Sequence, residues 1–377
     1  MCFLKNIFGS KAQPPQDLAQ LFGKLGGQRE IDNLFDQFAI KAGFILSRLQ
    51  DPLGDIKNLR VKNPIAYNQL KNLAATFHDS FILILDELLT KAAEASEQKN
   101  DSIIYKIIKT SGIVIAADRL LKYFNRKDPG IGEISIDNIR TLARNQFERR
   151  TLKLSPKVWK ISKQTIEQVE QYVSSGLSTG QSAAKISLDV RQYLKNPDAR
   201  FRRVRDPETG ELKPSKPMAN YHPGQGIYRS AYKNALRLAR NEVNISYRMA
   251  DHYRWKSIDF ITGFEVKLSA SHKIEDICDY MVGEYPKTFI FSGFHPQCFC
   301  ISTPITPTKE EFVEYIKTDK LPGKPVKGIP PKAFNYIRDN SHKINNLKSK
   351  PFFIDDNFTL RNGVFYPNKG IYYSLNF

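Results

Sequence analysis

The sequence predicts a mainly α, α+β protein: a helical N-terminal region, then a helix joined to a small β-sheet module rich in Cys and His, then an irregular C-terminal tail. Three observations predict it. Apolar residues over the first third recur at helical spacing, the segment 259–268 alternates instead, and Pro, Lys and aromatic residues dominate after Pro304.

Leu18, Leu21, Phe22 and Leu25 open the helical series, and Ile31, Leu34, Phe35, Phe38 and Ile45 continue it at intervals that keep one apolar face inward. Further stripes run from Tyr67 to Leu89 and from Ile103 to Phe124. Breaks are expected at Asp51-Pro52, around Gln98 to Asp101, and at Arg126-Lys-Asp-Pro129-Gly130, where helix-incompatible residues cluster. A linker leads to Ile136–Leu154 and then to helical patterns at Val158–Val173 and Ala183–Leu194, separated by Gly176-Leu-Ser-Thr-Gly180-Gln-Ser182. That stretch lacks the lysine and the preceding strand of a P-loop, so it reads as an interhelical turn. Tyr228 to Trp255 is the strongest helix, with Leu236, Ala239, Val243, Ser246, Ala250 and Tyr253 on one stripe and Arg237, Arg240, Asn244, Arg248 and Asp251 around the remainder.

Asp259 to Leu268 reads as a half-buried strand, with Phe289-Ile-Phe291 and Cys300-Ile-Ser-Thr as its partners and His295-Pro296 as the turn between them. Lys317 to Ile329 reads as a flexible link, and Pro330-Pro-Lys-Ala as the start of a short helix. The aromatic run from Phe352 to Phe377 implies docking, onto this chain or, alternatively, onto a neighbouring subunit. The organisation is therefore 1–128 helical region, 129–215 helical linker region with a basic loop, 216–306 Cys/His module, and 307–377 tail.

A chain of 377 residues has room for two or three cores. No apolar run approaches the ~20 residues that a bilayer requires, and the short apolar patch at Phe3 to Phe8 does not read as a signal peptide. The expected partners therefore include no membrane. The net charge of +18 favours polyanions. Arg200, Arg202, Arg203 and Arg205, continued by Lys213 and Lys216 in a Pro/Gly-rich stretch, are the candidate nucleic-acid or polyanion contact, on an expected exposed loop.

The segment from Ser269 to Cys300 gathers three of the four cysteines and two of the six histidines. Cys278, His295, Cys298 and Cys300 would complete a closed tetrahedral zinc site, with His272 as an alternative ligand. The spacing is not that of a common zinc ribbon, because a single Cys278 stands where a C-x2-C pair would be expected. A disulfide from Cys278 to Cys298 or Cys300, or three buried thiols, is the competing reading. Catalysis finds less support. Three crowded thiols do not present one activated nucleophile, and H-K-I-E with H-P-Q-C-F-C does not match a zinc deaminase. The sequence offers no convincing catalytic constellation, and an enzyme is not expected.

The ordered set Gly263-Phe-Glu-Val-Lys-Leu-Ser269-Ala-Ser-His272, Asp276-Ile-Cys-Asp279, Gly283 and Phe294-His-Pro-Gln-Cys-Phe-Cys300 resembles the C-terminal signature of phage head morphogenesis proteins, the Mu F-like minor head proteins of tailed phages. Leu236-Arg-Leu-Ala-Arg240-Asn-Glu242 resembles the family's preceding A-R-x-E helix, and the Gly176 to Ser182 turn is similar to its helix-turn-helix. The resemblance covers roughly residues 150 to 305. It implies that Arg240 and Glu242 tie their helix to the following sheet, whereas composition alone allows an ordinary solvated face. It further implies a minor capsid protein of the virion, made in the host cytoplasm and located in the capsid interior or at the portal vertex. Its implied partners are the portal and other capsid proteins, and its implied role is in capsid assembly, DNA packaging or DNA delivery. Two other classes compete: a nucleic-acid-binding zinc-module protein, and a nuclease or toxin carrying a head-morphogenesis module.

Overall fold

In the computed structural model the described residues are 18–47, 64–112, 127–128, 132–133, scattered positions between 158 and 194, 203–214, 230–347 and 350–371. The elements run α1 (Leu18–Lys24), α2 (Gly27–Ser47), α3 (Pro64–Ser111), β1 (Lys127–Asp128), β2 (Gly132–Glu133), β3 (Arg203–Arg205), β4 (Leu212–Pro214) and α4 (Ala231–Lys256). They continue with β5 (Gly263–Lys267), a 3-10 turn at Ile277–Tyr280, β6 (Gly283–Tyr285), β7 (Ile301–Ile305), α5 (Lys309–Thr318), α6 (Pro331–Asp339), α7 (Ser341–Asn345), α8 (Phe352–Asn357), β8 (Phe358–Arg361) and β9 (Val364–Pro367). This is a mainly α, α+β fold with small sheets. Among the described residues no helix is long and apolar enough to cross a membrane.

The chain divides into two compact units. One comprises Gly26–Glu87 and Phe147–Arg240, the other Met1–Leu25, Leu88–Gln146 and Asn241–Phe377. In the first, Phe35 sits edge-on to both Phe77 and Tyr232, with centroids at 5.1 and 5.4 Å. The Tyr232 hydroxyl donates to Asp32 Oδ1 at 2.6 Å, and Val158, Ile161, Val169, Val190 and Leu194 are buried. The Gly176–Ser182 turn lies outside the described residues.

The second unit holds the cysteines. Its sheet has the order β6-β5-β7, antiparallel throughout. Phe264 and Val266 of β5 alternate into the core as expected, and β7 falls at the expected segment. The other partner strand does not. It is Gly283–Tyr285 rather than Phe289-Ile-Phe291, because Phe289, Phe291 and Phe294 are spent filling the core around Tyr285 from an irregular segment. Tyr285 and Phe289 lie 4.4 Å apart.

A second difference lies in α3. Gln98 to Asp101 read as a helix break, yet α3 runs unbroken from Pro64 to Ser111. Gln98 is exposed, but Lys99, Asn100 and Asp101 are not a solvated interruption. Ser96 Oγ and Asn100 Nδ2 donate to Asp251 Oδ1 of α4 at 2.6 and 2.8 Å, and Lys99 pairs with Oδ2 of the same carboxylate. Trp255 Nε1 donates to Asn100 Oδ1 at 2.7 Å, while Arg254 pairs with Glu97 and Asp101. Buried polar groups are tolerated when bonded, so residues that disfavour a lone helix are held here by a neighbouring one. Helix α4 is accordingly buried along its polar positions as well: Glu242, Asn244, Ser246, Arg248, Asp251, His252 and Arg254 all lie inside.

Residues 309–367, where the sequence suggested irregular structure apart from a short helix starting at Pro330, contain α5 to α8 and a hairpin, with α6 at the expected helix, and they dock onto their own chain. Phe353 packs edge-on to Phe294 at 5.2 Å. Asn357 clasps Ile290 through both backbone groups, at 2.7 and 2.8 Å. The hairpin β8–β9 turns at Asn362-Gly363, both at positive φ, the combination a two-residue type I′ turn needs. Between α5 and α6 the chain is anchored by the Val326 amide donating to the Thr262 carbonyl at 3.0 Å.

His252 is buried in this unit. Burial first, then the Lys256 charge, pushes its imidazole down to about 4 against a hydrogen bond with the Phe289 backbone. The unfolded chain therefore takes up the proton first, near 6.5. Stability is full above that value and is lost as pH falls towards 4. Urea unfolding at pH 7.5 and pH 5 should show the wild type losing about 2 kcal/mol more than His252→Gln over that interval.

A candidate metal centre braced by a buried arginine

The site begins with local backbone chemistry. Asp276 caps the 3-10 turn, its Oδ1 accepting from the Cys278 amide at 2.7 Å, while Asp279 Oδ2 accepts from the Asp276 amide at 2.8 Å. This reciprocal cap explains the two aspartates of D-x-C-D, and it fixes Cys278 on the buried side of the turn. Gly283 follows at φ +131°, where a Cβ would lie 2.8 Å from Pro330. Lys332 of α6 closes over the outside of the turn, donating to the Asp279 carbonyl at 2.9 Å and lying over the Tyr280 ring.

The second half of the site is the turn His295-Pro-Gln-Cys298. The Cys298 amide donates to the His295 carbonyl at 3.1 Å, and Gln297 takes a left-handed conformation at φ 64°. The turn thus falls where the sequence placed it. Beyond it Cys298 and Cys300 both face inward, and Cys300 leads into β7.

Cys278, Cys298 and Cys300 are buried free thiols whose sulfurs all lie within 4.8 Å of one another. The Cys278–Cys298 separation is 3.7 Å. A disulfide needs about 2.05 Å, whereas two sulfurs bound at about 2.3 Å to one tetrahedral ion stand about 3.8 Å apart. The three thiols could hold a metal ion, and their spacing fits one. Their acidities diverge. Hydrogen bonds from Cys278 and then Cys300, together with the Arg248 charge, hold the Cys298 thiol well below its usual range. Cys278 is pushed up, first by its hydrogen bond to Cys298. For Cys300, the Cys278 hydrogen bond pulls down but the Cys298 thiolate and burial prevail, and the thiol is pushed up to about 12.

Histidines border the thiols rather than joining all three. His295 Nε2 lies 3.2 Å from Asp276 Oδ2 and groups with Asp276 and Cys278, while its Nδ1 donates to the Pro296 carbonyl at 2.8 Å. His272 Nε2 lies 2.9 Å from Asp279 Oδ2 and groups with Asp276 and Asp279. Of the arginine cluster, Arg200 and Arg202 lie outside the described residues. Arg203 and Arg205 fall in β3, so the expected loop is a hairpin there. Arg205 is exposed and donates to the Gly210 carbonyl at 3.1 Å.

Sequence reasoning missed the residue that organises the site. Arg248, at 3% exposure in the middle of α4, sends its guanidinium into the cysteine loop. Its Nη2 donates to the carbonyls of Cys298 and Cys300 at 2.8 and 2.9 Å, and its Nη1 to that of Ser292 at 3.4 Å, with Phe291 stacked 4.9 Å away. Arg240, the arginine that the resemblance pointed to, donates to Gln28 at 3.0 Å, and Glu242 is buried. No protein-family model, curated protein or solved structure matches the chain.

Arg248→Met would leave buried carbonyls without their charged donor and should lower unfolding stability by about 3 to 5 kcal/mol in urea titrations. Gly293 has φ +107°, and a Cβ there would lie 2.8 Å from Arg248 Nη1. Gly293→Ala should therefore cost about 1 to 3 kcal/mol in the same measurement.

Proposed function

We propose that this protein is a phage or prophage minor head protein of the Mu F-like type, which assists capsid assembly and DNA packaging or delivery near the portal, with its cysteine module held by a structural zinc ion. One observation carries the reading. The ordered elements D-x-C-D, G and H-P-x-C-x-C each have a defined part in a single buried three-thiol site that the preceding helix braces through Arg248.

Zinc suits the donor set, since thiolate and imidazole are its usual ligands. Cys278, Cys298 and Cys300 would supply three thiolates, with His295 beside Cys278 as the candidate for the fourth position. Arg248 is placed to offset the surplus negative charge of three thiolates on a dication. Such an ion supplies folding energy rather than chemistry: it ties the 3-10 turn to the return strand in a module whose loops carry little regular structure. The net charge of +18 suits a location against packaged DNA.

Two measurements test this. Metal analysis of the purified protein should find one zinc per chain, and Cys298→Ser should lose it along with the local fold, whereas packed thiols would give a metal-free protein and a modest stability loss. The tagged chain should be recovered with procapsids in a portal-dependent, nuclease-resistant manner. Recovery that disappears with nuclease would favour a nucleic-acid binder, for which the exposed Arg205 hairpin is the first contact to mutate.

A further inference from the structure

We propose that Lys99 and Asp251 condense into an intramolecular isopeptide bond that covalently joins α3 to α4. The Lys99 amine and the Asp251 carboxylate are in contact inside the protein, with side-chain exposures of 10% and 1%. Aromatic rings wall the amine, with Tyr247 4.7 Å and Trp255 5.3 Å from Nζ. Burial drives the lysine towards its neutral, nucleophilic form, against the pull of Asp251. The carboxylate is also polarised unevenly. Ser96 Oγ and Asn100 Nδ2 both donate to Oδ1, and the Trp255 indole turns the Asn100 amide so that its NH2 faces Asp251. Oδ2 faces the amine.

That arrangement has the parts of an acyl-transfer site. A proton crosses from the ammonium to Oδ2, leaving a neutral amine and a carboxylic acid. The Nζ lone pair attacks Cγ, and the Cγ–Oδ1 π electrons move onto Oδ1, where the Ser96 and Asn100 donors stabilise them as an oxyanion hole would. A second proton passes from Nζ to the Oδ2 hydroxyl. The Nζ–Cγ bond is then complete, the Cγ–Oδ2 bond breaks, and one water leaves. Ammonium plus carboxylate thus become amide plus water, with no oxidant or cofactor. The product retains both hydrogen bonds on its carbonyl oxygen and removes two charges whose burial is costly. In a virion protein this link would resist mechanical separation of the two helices.

The test is proteolysis of the unfolded full-length wild-type protein, followed by peptide sequencing by mass spectrometry. The expected result is a branched peptide joining residues 99 and 251, lighter by one water than its two arms. In Lys99→Arg, which keeps the charge but lacks the nucleophile, the two peptides should run separately. Recovery of two linear wild-type peptides at their sequence masses overturns the proposal. Because the deciding measurement is made on the wild type, a variant that fails to fold leaves the outcome unchanged.

Discussion

The cysteine module depends on one interaction, the insertion of the Arg248 guanidinium among the carbonyls of Ser292, Cys298 and Cys300. The segment from Phe289 to Cys300 has almost no ladder of its own, so its backbone acceptors must find donors elsewhere. A planar cation with several N–H groups in fixed directions meets that need as lysine could not. The same charge lies beside the Cys298 sulfur. One side chain thereby holds the backbone of the loop and adds its charge to the hydrogen bonds among the thiols that set the acidity of Cys298.

Arg248 is the extreme case of a wider design. Helix α4 is polar by composition and buried by position, and several of its polar groups meet polar partners: Asp251 with Ser96, Lys99 and Asn100, Arg254 with Glu97 and Asp101, Ser246 with the Leu89 carbonyl. Asn357 plays the equivalent part for the C-terminal segment, clasping both backbone groups of Ile290. Such contacts contribute modest net stability but are expensive to leave half-made. They specify one arrangement of helix, loop and tail more sharply than apolar packing alone.

The same feature decides what was legible in the sequence. Apolar stripes marked α1 to α3, alternation marked β5, and the crowding of Cys278, Cys298 and Cys300 marked the site, because each pattern follows directly from burial on a periodic element. The reading failed where polar residues were interior. Gln98 to Asp101 looked like a break, and Arg248 stood only as one of several polar residues off the apolar stripe of its helix, since a buried arginine and an exposed one are spelled alike. The aromatic weight of Phe289 and Phe291 suggested a strand, whereas the glycine-opened Gly283–Tyr285 took that place. One missed signal was available: Asn362-Gly363 between apolar flanks is a strong hairpin cue.

The most direct test of the proposed metal centre is X-ray absorption at the zinc edge on the purified full-length protein. The account predicts zinc with a shell dominated by three sulfur ligands at about 2.3 Å. A protein without metal, or a metal surrounded by nitrogen and oxygen alone at about 2.0 to 2.1 Å, would contradict it.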